Sequence, residues 1–234
     1  MTRITVILAT VLSLAFTPLA AQDFSKGYAA YQSGDYATAL QEWTPFAEAG
    51  DVDAQNNLGV MYDNGQGVLQ DYAEAVRWYR LAADQGYANA QYNLGKMYEN
   101  GLGVVQDYAE AVRWYRLAAD QGDAMAQNNL GVMYVNGQGV LQDYAEAVRL
   151  YRLAADQGNA RAQYNLGVMY GNGQGVLQDN VMAHMWFNIG AANGDELGGT
   201  NRDIIAERMT HQAVEQAQAM ARECMSSGYQ NCGY

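Results

Sequence analysis

The sequence has few of the residues that most often build metal or redox sites. Among 234 residues it contains two cysteines, two histidines and two prolines. The histidines, His184 and His211, are isolated, and no CxxC or HExxH spacing occurs. A zinc site needs three or four protein ligands at characteristic spacing. The sequence therefore predicts no metal site and no other cofactor.

Positive charge is also scarce. The chain has 13 Lys and Arg residues against 25 Asp and Glu residues, a formal net charge of −12. Binding to nucleic acids or anionic membranes depends on basic side chains that neutralise phosphate. We therefore expect neither as a partner, and the acidic balance favours solubility and basic partners.

Candidate nucleophiles are few. After residue 21, serine occurs only at Ser25, Ser33, Ser226 and Ser227, and none lies in an SxxK or GxSxG motif. An activated serine needs a base held beside it, and these motifs are the usual signs of one. The sequence therefore predicts no catalytic residue.

The longest apolar run lies at the start of the chain. A short basic segment, Met1–Arg3, precedes the mostly apolar residues 4–16, and small residues lead to Ala20 and Ala21. This is the layout of a secretory signal peptide. The run is shorter than the roughly 20 apolar residues that span a bilayer. We expect a signal peptide over residues 1–21, cleaved after Ala20 or Ala21, and a periplasmic or secreted chain that does not insert into a membrane.

The two cysteines lie close together near the other end, in ECMSSGYQNC. Export would place Cys224 and Cys232 in an oxidising compartment, so a disulfide between them is the leading interpretation. Closing this small loop would stabilise the fold by about 2–3 kcal/mol.

A 36-residue period organises most of the remaining sequence. AQNNLG begins at Ala54 and Ala126, and AQYNLG begins at Ala90 and Ala162. A fixed period of this length indicates stacked supersecondary units rather than one closed globule. We divide the chain into a first hairpin, four units, and terminal capping helices with a tail: 22–53, 54–89, 90–125, 126–161, 162–197 and 198–234.

Each unit predicts two helices. Asn64-Gly65 ends the first, and Asp71, with Glu74 as the second half of a capping box, begins the second. Apolar residues recur at helical spacing in both, and Gly59 leaves room for a close neighbour. The buried stripes are Ala54, Leu58, Met61 and Tyr62 in the first helix, and Ala75, Trp78, Tyr79, Ala82 and Ala83 in the second.

The glycine-bearing loop between the two helices is not a phosphate-binding motif. Residues 65–70, GQGVLQ, lack the third glycine of GxGxxG and the Lys-Ser/Thr of a P-loop. Those motifs also follow a strand, whereas this loop follows a helix. We interpret the loop as a structural hinge. Beyond the last unit, the pattern predicts helices at Arg202–Met209 and from about His211 to Met225, with Thr210 as a cap.

The pattern AQxxLGxMYxxGxGVxQDxxxAxxWYxxAAxQG resembles the Sel-one-like repeat (SLR), a relative of the tetratricopeptide repeat. The resemblance runs from Ala54 to Gly194. Residues 24–50 resemble a tetratricopeptide hairpin that lacks the longer loop. The resemblance implies an all-α, right-handed α/α superhelix, or solenoid, whose first helices line a concave face. Because some family members have been described as β-lactamase-like, it also leaves a cell-wall enzyme as the alternative function.

Polar residues on the first helices are the candidates for binding. An asparagine precedes Leu-Gly in every unit, and by analogy with tetratricopeptide domains this position faces the groove. Its amide can pair with a peptide backbone regardless of sequence, and nearby tyrosines can add flat apolar contacts. Alternatively, the asparagines bond to the adjacent unit and stiffen the stack. The candidates are Asn57, Asn93, Asn129, Asn165, Tyr92 and Tyr164.

One position on the first helix differs in every unit. Asp63, Glu99, Val135 and Gly171 occupy it in turn, which fits a surface position that tunes partner choice and fits neutral drift equally well. Taken together, the sequence predicts an exported, monomeric, non-enzymatic scaffold that binds a protein or peptide partner, such as a periplasmic adaptor or regulator.

Overall fold

Residues 23–233, the part of the chain described by a computed structural model, form twelve α-helices and no strand. The predicted signal peptide lies outside this part. The helices are α1 (Phe24–Ser33), α2 (Tyr36–Glu48), α3 (Val52–Asn64), α4 (Tyr72–Asp84), α5 (Ala88–Asn100), α6 (Tyr108–Asp120), α7 (Ala124–Asn136), α8 (Tyr144–Ala155), α9 (Ala160–Asn172), α10 (Asn180–Ala192), α11 (Gly198–Ala206) and α12 (His211–Ser226).

The helices form consecutive hairpins that stack into an all-α solenoid, as the sequence predicts. Within the four units we call α3, α5, α7 and α9 the A helices and α4, α6, α8 and α10 the B helices. Each A helix packs on its own B helix and on the helix that precedes it in the chain, which is α2 for α3 and the B helix of the preceding unit for the others. The core is therefore a chain of local clusters that share residues at unit boundaries, as expected of a repeat protein.

An aspartate begins every B helix. The Asp71 carboxylate accepts hydrogen bonds from two N–H groups of the first turn, both at 3.0 Å, which satisfies donors that the helix cannot. The predicted capping box is only half formed, because Glu74 accepts from Arg77 instead (Nε to Oε1, 2.9 Å). The N–H of Asp71 donates to the carbonyl of Tyr62. Asp179 caps α10 in the same way, although that unit lacks the glutamate.

The loop between the helices is a fixed connection that glycine makes possible. Gly65 ends α3 with φ +68°, a left-handed conformation that favours glycine. The loop of each unit also lies on the start of the preceding B helix. A Cβ at Gly103 would lie 2.2 Å from the carbonyl oxygen of Tyr72, so only glycine fits. The interpretation as a structural element is consistent with this packing.

Each A helix meets an aromatic ring of its own B helix at a glycine. A Cβ at Gly59 would lie 2.5 Å from the ring of Tyr79, which is the close approach that the sequence predicts. Burying a ring of this size stabilises the fold by about 2–3 kcal/mol. The same contact recurs as Gly27–Trp43, Gly95–Tyr115, Gly131–Tyr151 and Gly167–Phe187.

Helices α11 and α12 cover the last unit by packing on α10. Helix α11 begins at Gly198, four residues before the predicted start, because the Asp195 carboxylate accepts from the N–H groups of Leu197 and Gly198. Thr210 caps α12 as predicted. The disulfide between Cys224 and Cys232 is present and ties the tail to α12.

Candidate binding face

The A helices present a row of mostly uncharged side chains at three positions of each unit, which we call the A-helix face. The first position is the predicted asparagine, the second lies three residues later, and the third lies seven residues later. All are half-buried or exposed. The residues are Asn57, Asn93, Asn129 and Asn165; Val60, Lys96, Val132 and Val168; and Asn64, Asn100, Asn136 and Asn172.

The predicted asparagines bond to the preceding unit. Asn93 donates from Nδ2 to Oδ1 of Asn56 at 3.2 Å, and Asn165 donates in the same way to Asn128 at 2.9 Å. Asn129 also donates to the preceding unit, but to the hydroxyl of Tyr115 on α6, at 3.3 Å.

These bonds use the donor side of the asparagine amides. They are the contacts that the stack-stiffening alternative requires. An amide also carries an acceptor oxygen with two lone pairs, and the Oδ1 atoms of Asn93 and Asn165 accept no hydrogen bond within residues 23–233. Asn57 makes no side-chain hydrogen bond within the same residues. The role of the row in ligand binding therefore stays a prediction.

The two predicted tyrosines are half-buried and lie against the ring below them. Tyr92 packs on Tyr115 with ring centroids 5.9 Å apart, and Tyr164 packs on Phe187 at 5.5 Å. A cation lies over each tyrosine: Lys96 Nζ over Tyr92 at 5.7 Å, and the guanidinium of Arg161 over Tyr164 at 5.8 Å. Each ring thus offers only part of its surface to a ligand.

A row of glutamines, which the repeat pattern does not mark as binding or packing residues, joins the units more regularly than the asparagines do. Gln127 is 4% exposed, and its Nε2 donates to the carbonyl of Ala119 at 3.2 Å. Its Oε1 accepts from Nε2 of Gln157 at 2.9 Å. The same bridge occurs in every unit, with Asn193 replacing the last glutamine. The sequence feature that could have revealed this row is the glutamine after alanine in AQNNLG and AQYNLG, because it is a polar residue that recurs in every unit and is buried.

The variable position on the A helix has a different role from the predicted one. The hydroxyl of Tyr79 donates to Asp63 at 3.4 Å, and that of Tyr115 donates to Glu99 at 2.5 Å. Burial, and then these carboxylates, raise the pKa of both tyrosines above the ordinary range. In the first two units the position therefore serves an internal bond rather than a free surface.

The third and fourth units lose this bond in two steps. Val135 replaces the acid, and the hydroxyl of Tyr151 has no hydrogen-bond partner within residues 23–233; burial alone raises its pKa. In the fourth unit Gly171 and Phe187 replace both members of the pair. The polar contact of the first units thus becomes an apolar opening in the last.

This opening is part of a pocket of about 270 Å³ between α9, α10 and α11. Val168, Gly171 and Phe187 contribute its apolar part from the last unit, and Ile204 and Ile205 contribute from α11. Polar atoms come from tyrosine, asparagine and arginine side chains: Tyr164, Asn172, Asn201 and Arg208. Asn201 donates to the hydroxyl of Tyr164 at 3.3 Å, so α11 continues the A-helix row.

Three of the serines considered above make local backbone contacts. The hydroxyls of Ser33, Ser226 and Ser227 donate to backbone carbonyls three residues earlier, at 2.8–3.0 Å. Within residues 23–233 no three His, Cys, Asp or Glu side chains are grouped to hold a metal ion. No helix in the same part of the chain is both long enough and apolar enough to cross a bilayer.

Comparison with known proteins finds the same repeat elsewhere. The Sel1 repeat model matches residues 52–87, 88–123, 124–159 and 160–195, which is more than half of the chain. A Sel1 repeat protein from Oxalobacter formigenes is 34% identical with a TM-score of 0.69, over 88% of this chain and 78% of that one.

A second similar structure is c5321, a protective antigen of uropathogenic Escherichia coli strains with an SLR fold. It is 36% identical with a TM-score of 0.73 over 92% of this chain. This chain spans 50% of the length of c5321. A comparison with curated proteins gives no match.

Proposed function

Because the chain belongs to the Sel1 repeat family, whose members generally mediate protein–protein interactions, we propose that it is an exported scaffold without catalytic activity. It binds a protein or peptide partner on the A-helix face as a monomer and acts as an adaptor or regulator in the periplasm. The observation that carries the proposal is the absence of carboxylates from the twelve side chains that define this face.

The charges are unevenly distributed over the surface. Of the twelve defining positions only Lys96 carries a charge, whereas the B helices carry repeated ion pairs such as Glu74–Arg77, Glu110–Arg113 and Glu146–Arg149. These exposed pairs contribute only a few tenths of a kcal/mol each. A chain with a net charge of −12 thus has no charge at eleven of these twelve positions, which suits contact with a polypeptide.

The side chains on this face match the needs of an extended backbone. A peptide in extended conformation presents alternating N–H and C=O groups. The free Oδ1 atoms of Asn93 and Asn165 can accept from its N–H groups, and the exposed Asn100 and Asn136 add further amides. Val132 and Val168 supply aliphatic surface between them. The face can therefore hold a peptide without reading most of its sequence.

Partner capture tests the location of the site. Mature protein, immobilised and incubated with periplasmic extract, should retain a partner that mass spectrometry identifies. Asn100→Glu with Asn136→Glu adds two negative charges to the A-helix face and should abolish retention. Leu117→Glu with Leu153→Glu adds the same charge to exposed B-helix positions and should leave retention unchanged. Equal loss in both variants would contradict the proposed site.

Export is tested separately. Expression of the full chain in a Gram-negative host, followed by fractionation and N-terminal sequencing, should give a periplasmic protein that begins at Ala21 or Gln22. A chain that keeps Met1 and stays in the cytoplasm would contradict the periplasmic role.

The absence of catalysis is tested with a chromogenic β-lactam. The mature protein should give no turnover above the rate of heat-denatured protein. Sustained turnover that a single substitution abolishes would replace the scaffold with a cell-wall enzyme.

A further inference from the structure

We propose that the pocket between α9, α10 and α11 binds the C-terminal residue of a partner polypeptide, taking its aliphatic side chain and its free carboxylate. This proposal rests on the proposed function, because the pocket forms the end of the A-helix face. It adds a sequence requirement that the amide row alone does not impose.

The pocket exists because the last unit differs from the others at two neighbouring positions, 171 and 187. In the second unit Glu99 and the Tyr115 hydroxyl occupy this space with a hydrogen bond of 2.5 Å. In the fourth unit Gly171 has no side chain, and Phe187 has no hydroxyl. Each change alone would leave an unpaired polar group, whereas both together leave an apolar floor.

The apolar part can hold an aliphatic side chain. This part is lined by Val168, Phe187 and Ile204. Ile204 is 46% exposed, so an apolar surface is open to a ligand here. The volume of about 270 Å³ is below the roughly 300–1,000 Å³ of pockets that take drug-sized ligands. One amino-acid residue is therefore the appropriate occupant.

The charge of the lining selects a carboxylate. Arg208 lines the pocket, and no carboxylate does. Two other arginines of this region are paired, Arg161 with Asp195 and Arg202 with Asp203, whereas Arg208 has no ion-pair partner within residues 23–233. A guanidinium binds a carboxylate with two parallel hydrogen bonds. An unpaired arginine in a chain of net charge −12 is therefore available to an anion.

The position in the solenoid favours a chain end over an internal acidic residue. Helix α11 is the last member of the A-helix row, joined to it by the bond from Asn201 to Tyr164, and α12 packs on α10 instead. A peptide that lies along the row toward α11 reaches Arg208 where the row stops. A C-terminal residue supplies the side chain and the carboxylate within one residue, as the pocket volume requires.

The pocket can be tested without knowing the partner. We choose N-acetyl-L-leucine, which carries the side chain and the carboxylate, and N-acetyl-L-leucinamide, which lacks the charge, and follow backbone amide shifts by NMR. The acid should shift the signals of Gly171, Asn172 and Ile205 saturably. The amide should bind about tenfold more weakly or worse, the expected loss for a hydrogen bond to a charged group.

Variants separate the two parts of the pocket. Arg208→Gln should weaken binding of N-acetyl-L-leucine about tenfold and leave binding of the amide unchanged. Arg222→Gln removes the same charge from an exposed site on α12 and should change the binding of neither probe. Gly171→Val should abolish both. A Cβ at residue 171 meets Ile205 Cδ1 at 3.5 Å and Ala183 Cβ at 3.7 Å, ordinary contact distances, and Val135 already occupies the matching position, so this variant should fold.

A display library of random heptapeptides with free C-termini distinguishes the pocket from the face. Enrichment of Leu, Ile or Val at the last position, lost in Gly171→Val, would support the proposal. If peptides bind the A-helix face without a C-terminal preference and N-acetyl-L-leucine causes no shift, the proposed binding of a C-terminal residue in the pocket is wrong, but the proposed function stands. Saturable pocket shifts with no enriched peptide would keep the pocket and contradict the proposed function.

Discussion

Gln121 donates from its side-chain amide to the side-chain oxygen of Gln91 at 2.7 Å, although Gln91 lies near the start of the α5–α6 hairpin and Gln121 at its end, 30 residues later. Gln91 is 3% exposed and also donates to the carbonyl of Ala83, at the end of the preceding B helix. One buried side chain thus connects three consecutive helical segments. Because a buried amide without partners is costly, this bridge specifies how one unit sits on the next.

The glutamine bridge should matter more through its buried member than through its exposed one. Gln127→Ala removes the donor to Ala119 and the acceptor of Gln157, and we expect a loss of about 1–3 kcal/mol in the free energy of unfolding. Gln157→Ala removes the two bonds of an exposed side chain, to Gln127 and to the carbonyl of Leu153, and should cost less than Gln127→Ala, because water can replace the lost partners at this site. Urea titration followed by circular dichroism measures both, and equal losses would contradict this account.

The tyrosine–acid pair should show a dependence on its unit. Tyr115→Phe leaves the Glu99 carboxylate without its hydroxyl donor and should destabilise the fold by about 1 kcal/mol or more. Tyr151→Phe removes a hydroxyl that has no partner within residues 23–233, and should change stability by less than about 0.5 kcal/mol or increase it. Thermal unfolding of the two variants side by side checks the prediction. A larger loss in Tyr151→Phe would refute it.

The asparagine row should contribute to stability only where it reaches a preceding unit. Asn165→Ala breaks the 2.9 Å bond to Asn128, which is 5% exposed, and should cost about 0.5–1.5 kcal/mol. Asn57→Ala breaks no side-chain bond within residues 23–233 and should leave the melting temperature unchanged. If both variants melt like the unmodified protein, the stiffening role is wrong.

His184 should make the C-terminal end of the solenoid sensitive to acid. It is 2% exposed, and its Nδ1 has no hydrogen-bond partner within residues 23–233. Burial, and then the nearby Arg202, lower the pKa of this imidazole. A group with a lowered folded-state pKa contributes stability that is present above its unfolded value, near 6.5, and is lost as pH falls through the folded value.

The test compares the unfolding midpoint in urea at pH 7.5 and 5.5. The unmodified protein should lose more stability over this interval than His184→Gln, because glutamine does not titrate. His211→Gln, which changes an exposed histidine, serves as the control and should behave like the unmodified protein. If His184→Gln shows the same pH dependence as the unmodified protein, His184 is not the cause of the acid sensitivity.

Local structure was largely predictable. The helical spacing of the apolar residues predicted both helices of each unit, and Asp71, Gly65 and Thr210 marked where helices begin or end. Gly59 signalled a close contact in its own hairpin. These features depend on residues within about one or two helical turns, or on a single hairpin, so the pattern along the chain carries them.

Contacts between units were not predictable in the same way. The sequence pattern indicates the capping box at Glu74, which is only half formed because Glu74 accepts from Arg77 on the same helix, but it does not indicate that Arg80 donates to the hydroxyl of Tyr98 in the next unit. Long side chains have several partners within reach at similar energy. Only the packing of successive hairpins selects among them.

The sequence by itself determined the period, the helical hairpins, the membership of a repeat family and the asparagines that mark each unit. Tertiary structure alone decided that the AQ glutamines bridge the units, that the variable A-helix position bonds to a tyrosine, and that Gly171 and Phe187 open a pocket beside Arg208. The physical reason is distance along the chain. Helices form from neighbouring residues, whereas the bridges and the pocket join residues in different helices, whose relative placement depends on how the whole stack packs.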